Sequence, residues 1–343
     1  MKLSIIVPVY NQMDGGKLKF CLDSLVNQTI SDYEIIAVDD KSTDSSLEFL
    51  YEYQKKYPDK MKVIASPENR RQGGAKNLGL RAASGEWLGF VDSDDWITYD
   101  YYEKLLAKAE KTGADIVGCK FCITNEHSFE IKEIAESNDA SMEGYMDEEK
   151  KGEAILKPGS MVTKIYKRSI FYDNGLWFPE YTFYEDNCTG ILTMLYCNRF
   201  AYVDEPMYFY YQDKASTTHH ISEQKCNDRL ETMMILLEEC WKREFLDDYP
   251  SELEYRFTEI YYVNTLFTYV IGVPVFKQRL SFLRELRIGI LSLFPDYRTN
   301  LYFDERTDEE VKKLTALHCK SPFLFFWYYH LLRLYRRIRY HKQ

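Results

Sequence analysis

No stretch of about 20 apolar residues occurs in the 343-residue chain, which excludes a helix that spans a bilayer. The apolar run Ile5–Val9 is too short for the core of a secretory signal, and Pro8 interrupts it. A cytoplasmic location is the resulting expectation. Basic residues are not in excess: 44 Lys and Arg face 54 Asp and Glu, a formal net charge of −10. So acidic a chain is a poor candidate for wrapping nucleic acid. The eight cysteines are scattered, and the single CxxC, Cys119 and Cys122, has no second pair to complete the four ligands of a structural zinc site. Reduced, buried thiols are expected instead. Internal repeats and low-complexity tracts are also absent.

The composition is 45% hydrophobic and 29% charged, enough for an ordinary core, over a length that predicts two domains or one large domain with a substantial extension. Aromatics reach 16%, with 29 Tyr and 20 Phe, which fits aromatic-filled cores and also surfaces that stack on sugar rings. Charge is unevenly placed. Residues 321–343 carry Arg333, Arg336, Arg337, Arg339 and Lys342 and no acid, so the C-terminal tail is net +5 on an otherwise acidic chain.

Over the first 120 residues, short apolar runs alternate with amphipathic stretches. Ser4–Val9, Tyr33–Val38, Lys62–Ala65, Glu86–Val91 and Ala114–Cys122 read as strands. Leu18–Asn27, Asp44–Tyr57 and Ala75–Ala83 read as helices, the second capped by Ser42, Thr43 and Asp44. This alternation predicts an α/β fold with parallel pairing, in which ligands bind beyond the carboxyl ends of the strands. From Thr124 to Gly159 the pattern breaks down into charged loops or solvated helix. After Tyr211 it turns helical, with Glu223–Phe245, Glu252–Tyr269 and Phe276–Leu293 as long runs. The domain boundary is expected near residue 215: a catalytic domain over 1–215 and a helical one over 216–343.

Four clusters carry chemistry. Phe90-Val91-Asp92-Ser93-Asp94-Asp95 ends a strand in three carboxylates, either a hard-cation site that also holds phosphate or an acidic stop to the strand. Val38-Asp39-Asp40 again runs a strand into acids, which accept hydrogen bonds from a base edge or a ribose. Asn69-Arg70-Arg71-Gln72-Gly73-Gly74-Ala75-Lys76-Asn77 combines two glycines, a helix start and three basic residues, a setting for a diphosphate. It is not a Walker A loop, whose Gly-to-Gly-Lys-Ser/Thr spacing is missing. Finally, Glu185 and Asp186 precede the expected helix Thr189–Tyr196, as a cap or as a general base.

In this order and spacing the clusters resemble the inverting family 2 glycosyltransferases of the GT-A fold. The resemblance is dense over about residues 1–110, from Ser4-Ile5-Ile6-Val7-Pro8-Val9-Tyr10-Asn11 through Val38-Asp39-Asp40 to Gly85-Glu86-Trp87, and looser through Lys164 and Glu185-Asp186. It implies a Rossmann-like, mostly parallel sheet followed by a C-terminal helical domain. It also implies a UDP-sugar donor, a Mn²⁺ or Mg²⁺ ion on Asp92 and Asp94, and Asp186 as catalytic base with Glu185 beside it against sugar. Pro8, Tyr10, Asp39 and Asp40 would line the nucleotide, with Ser93, Arg70, Arg71 and Lys76 around the phosphates. Lys76-Asn77 stands where members commonly carry Arg-Asn, and lysine lacks the bidentate fork. Tyr210-Tyr211-Gln212 lacks an arginine often found there, for which Lys214 or His219 would compensate. The implied acceptor is a saccharide or a polyprenyl-linked saccharide, in capsule or exopolysaccharide assembly. A sugar nucleotidyltransferase and a non-catalytic saccharide-binding protein remain as alternatives.

Ser321-Pro322 starts a helix well, and the apolar Phe323–Leu332 is followed by the basic residues. The expectation is an interfacial helix on anionic lipid, peripheral to the inner membrane face. A core helix or a homodimer helix is the alternative.

Overall fold

The computed structural model describes residues 1–137, 140–212 and 221–340. Lys214, His219 and Lys342 lie outside the described residues. The chain divides into two compact units, Met1–Ser216 and Thr217–Gln343.

The first unit is built on ten strands: β1 (Leu3–Val9), β2 (Tyr33–Asp39), β3 (Met61–Ala65), β4 (Trp87–Phe90), β5 (Trp96–Ile97), β6 (Ile116–Thr124), β7 (Glu133–Ala135), β8 (Gly144–Tyr145), β9 (Lys164–Lys167) and β10 (Arg199–Tyr211). They form one sheet in the order β3-β2-β1-β4-β9-β6-β10-β5, with β7 added to β6 and β8 to β10. Pairing is parallel through β3-β2-β1-β4 and between β6 and β10, while β9 runs antiparallel between β4 and β6. The central strands β1 and β2 are apolar on both faces, as strands covered by helices on both sides must be. The helices of this unit are α1 (Lys17–Val26), α2 (Ser46–Lys56), α3 (Arg71–Ala82), α4 (Tyr101–Thr112), α5 (Glu148–Leu156), α6 (Arg168–Tyr172) and α7 (Asp186–Leu195).

Differences from expectation are local. Ser42, Thr43 and Asp44 do not cap a helix beginning at Asp44. Ser42 and Thr43 bond instead to the loop after β1, with Asn11 N–H donating to Ser42 Oγ and Thr43 N–H to Asn11 Oδ1, while Asp44 Oδ1 accepts from the N–H of Ser46, where α2 starts. Asp147–Lys151, read as loop or solvated helix, opens α5, with the Asp147 carboxylate accepting from Lys150 N–H as a cap. Strands β9 and β10 fall where no strand is expected from the sequence. In β10 the register slips around Pro206, which cannot donate to a ladder.

The second unit is helical: α8 (Glu223–Lys242), α9 (Phe245–Asp248), α10 (Pro250–Phe257), α11 (Thr265–Gly272), α12 (Leu280–Leu293), α13 (Leu301–Arg306), α14 (Glu309–Lys320) and α15 (Pro322–Tyr340). The run Glu252–Tyr269, expected as one helix, is interrupted by a π-helical stretch at Thr258–Asn264. There the Thr265 hydroxyl donates to the Ile260 carbonyl five residues back, a spacing that suits the wider turn.

Candidate active site

Strand order reverses between β1 and β4, so the crevice beyond their carboxyl ends is where an open α/β sheet receives a ligand. Pro8 helps to open it. The Ile6 carbonyl accepts from Val91 N–H on the β4 side, and alternation turns Pro8 to the same edge, one step past the last β1–β4 pair. The missing N–H therefore costs no ladder bond. Tyr10 follows, with its ring exposed. At the end of β2, Asp39 is buried: its Oδ2 accepts from Ser42 N–H at 3.1 Å, while Oδ1 has no hydrogen-bond partner. Asp40 beside it is also buried and accepts from Arg70 N–H at 2.8 Å. Burial pushes its carboxyl up to about 6, against the lowering effect of the Arg70 and Arg71 backbone N–H groups.

Backbone strain gathers in the same loops. Among the described residues six non-glycine positions adopt positive φ, and five of them are Asn11, Lys41, Arg71, Tyr181 and Tyr184. They follow β1 and β2, open α3 and precede α7. Such conformations cost about 1 kcal/mol or more each and persist where surrounding structure imposes them, as it does at binding sites.

Beyond β4, the three carboxylates separate into two roles. Asp95 is buried, and Tyr208 Oη donates to its Oδ2 at 2.6 Å while Tyr211 N–H donates to its Oδ1 at 2.8 Å. The slip around Pro206 sets β10 so that Tyr208 and Phe209 pair with β5, directly after Asp95. Asp95 is thus a structural tie, and burial together with Asp94 and Asp92 holds its carboxyl well above the usual range. Asp92 and Asp94 are only half-buried, with Ser93 buried between them. Gln72 Nε2 donates to Asp92 Oδ1 at 2.7 Å. Burial pushes Asp92 up to about 6; Lys76 opposes this, while Asp94, Glu185 and Asp186 reinforce it. Groups from β4, α3 and the start of α7 therefore act on one carboxylate.

The segment 178–186 is docked along α3. Asn77 Nδ2 donates to the Phe178 carbonyl and to Glu180 Oε1, each at 2.9 Å, and Asn77 Oδ1 accepts from Phe178 N–H at 2.9 Å. Tyr181 N–H donates to the Arg70 carbonyl, and the Arg71 guanidinium lies 4.6 Å from the centre of the Phe183 ring. Gly73 makes room: a Cβ there would sit 1.9 Å from the Pro179 carbonyl oxygen. The glycine is needed for this packing, and α3 begins at Arg71, four residues ahead of the expected start.

Lys76 and Glu185 form a buried ion pair at 2.7 Å. Burial alone would lower the Lys76 amine, but Glu185, Asp92 and Asp186 together outweigh it, and the amine is held above its ordinary range. Lys76, expected beside a phosphate, is turned to Glu185, and Glu185, expected against sugar, is buried with it. Arg70 is likewise engaged, by Glu68 and Glu180. Asp186 is the outward member of the acid pair, at the first residue of α7. It is reached by solvent yet crowded by protein, and that partial burial together with Glu185 raises its carboxyl against the pull of Lys76.

The residues singled out in the sequence lie at or just beyond the ends of β1, β2 and β4 and near the starts of α3 and α7, but Lys76, Glu185 and Arg70 spend their charges on one another's segments. Gln72, Asn77 and Tyr208 escaped sequence reasoning; only Asn77, beside the lysine, had a signal. Among the described residues no group of three or more His, Cys, Asp or Glu gathers to hold a metal. Asp92 and Asp94 still fit Mg²⁺ or Mn²⁺, which takes one or two protein carboxylates and its other oxygens from water and substrate phosphate.

The family model described as Glycosyl transferase family 2 matches residues 4–196, more than half of the chain. The chain belongs to this family. EpsH of Bacillus subtilis (strain 168) is 32% identical to this glycosyltransferase over 264 residues, covering 74% of the chain and 73% of EpsH. A poly(ribitol-phosphate) beta-glucosyltransferase of Bacillus spizizenii is 34% identical over 188 residues, 53% of this chain, which spans only 27% of that protein. The crystal structure of Staphylococcus aureus TarS 1–349 with UDP-GlcNAc superposes with a TM-score of 0.67 at 24% identity, covering 84% of this chain and 82% of the other. The expected GT-A fold is present, and family membership places this enzyme among glycosyltransferases, not nucleotidyltransferases.

Proposed function

We propose that this glycosyltransferase moves a sugar from a UDP-sugar to a saccharide acceptor, lipid-linked during surface-polysaccharide assembly, by a single inverting displacement. The observation that carries the reading is the arrangement at the start of α7. Asp186 is the carboxylate open to solvent, its charge is felt at Asp92, and its neighbour Glu185 is neutralised by Lys76. Asp186 takes the acceptor hydroxyl's proton, and its raised proton affinity suits a base that must hold that proton. The unpartnered Asp39 Oδ1 is a buried acceptor for a base edge or ribose hydroxyl, and it supports a nucleotide at the end of β2. Asp92 and Asp94 would hold Mn²⁺ or Mg²⁺, whose charge offsets that of the departing nucleoside diphosphate.

A thermal-shift panel of UDP-, GDP- and dTDP-sugars identifies the donor, because a bound ligand raises the melting temperature. With that donor, Asp186→Asn is expected to keep the fold and UDP binding and to lose at least about 10²-fold in UDP release. Near-normal turnover would remove Asp186 from the role. In the parent enzyme, kcat/KM, which reports the free enzyme, should fall on the acid side with an apparent pKa above the ordinary carboxylate range.

A further inference from the structure

The last helix has two unlike faces. Its inner face is committed to the second unit: Phe325 and Tyr329 are buried against Phe267, Arg333 donates to the Val270 carbonyl, and Arg336 pairs with Glu310. On the other face Phe323, Trp327, Leu331, Leu334 and Ile338 are each more than half exposed. Leu324, Tyr328 and Tyr335 join them with the same exposure. At about 100° per residue these eight side chains form one uninterrupted apolar arc of about 140°. Arg339 falls just beyond one border of that arc and Arg337 beyond the other. An apolar stripe this long and open marks an interaction surface.

We propose that this face of α15 lies in the headgroup region of an anionic membrane, parallel to the surface. Among the described residues no helix is long and apolar enough to cross a bilayer, so the face would lie on the membrane. Trp, Tyr and Phe are the side chains that settle at the boundary between headgroups and acyl chains, and bordering arginines meet the phosphates. A second copy of this chain is a poorer occupant. A two-fold contact through this face would set α15 against α15, and the helix carries no acid to meet the arginines beside the arc. Anionic lipid supplies that missing charge, at about fivefold in affinity per basic residue near the surface.

The experiment uses the full chain with vesicles of phosphatidylcholine alone and of phosphatidylcholine with phosphatidylglycerol in equal parts, read by co-sedimentation. Binding is expected to the anionic vesicles, weakening as salt is raised. Arg337→Glu with Arg339→Glu should weaken it about 30-fold or more. Trp327→Asp with Leu331→Asp should abolish it, and both sites are exposed, so circular dichroism and UDP-dependent thermal shift should match the parent. Should the aspartate variant misfold, the charge-reversed variant and the comparison of the two vesicle types decide the matter. Equal binding to both vesicle types, or unchanged binding by the charge-reversed variant, overturns the proposal. So does a dimer in analytical ultracentrifugation that the aspartate variant dissolves while parent protein ignores anionic vesicles.

Discussion

Lys76→Met separates a lysine that binds donor phosphate from one that anchors the segment carrying Asp186. The Lys76–Glu185 pair measures 2.7 Å, and each side chain is 4% exposed. Removing one partner of such a pair costs about 3–5 kcal/mol, because the other charge stays buried alone. The orphaned carboxylate can escape by taking up a proton, which for a glutamate side chain in water costs about 3–4 kcal/mol at pH 7, so this sets the ceiling. A loss of about 3 kcal/mol in urea unfolding at pH 7 is therefore expected. Lys76→Met combined with Glu185→Met should recover most of it, since apolar groups of similar volume replace a buried pair at little cost. Calorimetry with UDP and Mn²⁺ should give nearly parental affinity, while turnover falls because the support behind Asp186 is gone. The reasoning is refuted by the opposite pattern: stability within about 1 kcal/mol of the parent, with UDP affinity reduced tenfold or more.

Three further outcomes follow from the geometry. Asp92→Asn should stabilise the metal-free protein at pH 7.5 by up to about 3 kcal/mol, because Asp92 is raised from 3.8 to about 6 in the fold. The folded protein binds the extra proton between those values, so stability falls as pH rises through that window and the gain vanishes below about pH 4; no gain in a urea titration would contradict the assignment. Gly73→Ala should cost at least about 2 kcal/mol, because its new methyl meets the Pro179 backbone and not a flexible side chain, and a parental melting temperature would show that the docking yields easily. Tyr208→Phe should cost about 1–3 kcal/mol by leaving the buried Asp95 oxygen unpaired, measurable by the same unfolding assay.

The strand–helix alternation and the acid clusters at strand ends were legible because each is local. A strand's apolar run, its stop and the carboxylates after it lie within about ten residues, so local pattern alone placed Asp39 at the end of its strand and Asp40, Asp92 and Asp94 beyond the sheet. The basic tail and its helix start were readable for the same reason.

Which carboxylate is open and which is neutralised was decided elsewhere. Glu185 and Asp186 are adjacent and alike in sequence. Only the docking of 178–186 on α3 turns one inward to Lys76, 109 residues away, and leaves the other facing solvent. Asp94 and Asp95 are likewise neighbours, and the slip in β10 alone brings Tyr208 from 113 residues on to claim Asp95. For α15, periodicity marks two faces but not which one the second unit covers. Sequence determines where charge and apolar surface are concentrated, since those depend on neighbours along the chain. Tertiary structure determines how each charge is spent, since that depends on partners that only packing brings within hydrogen-bond distance.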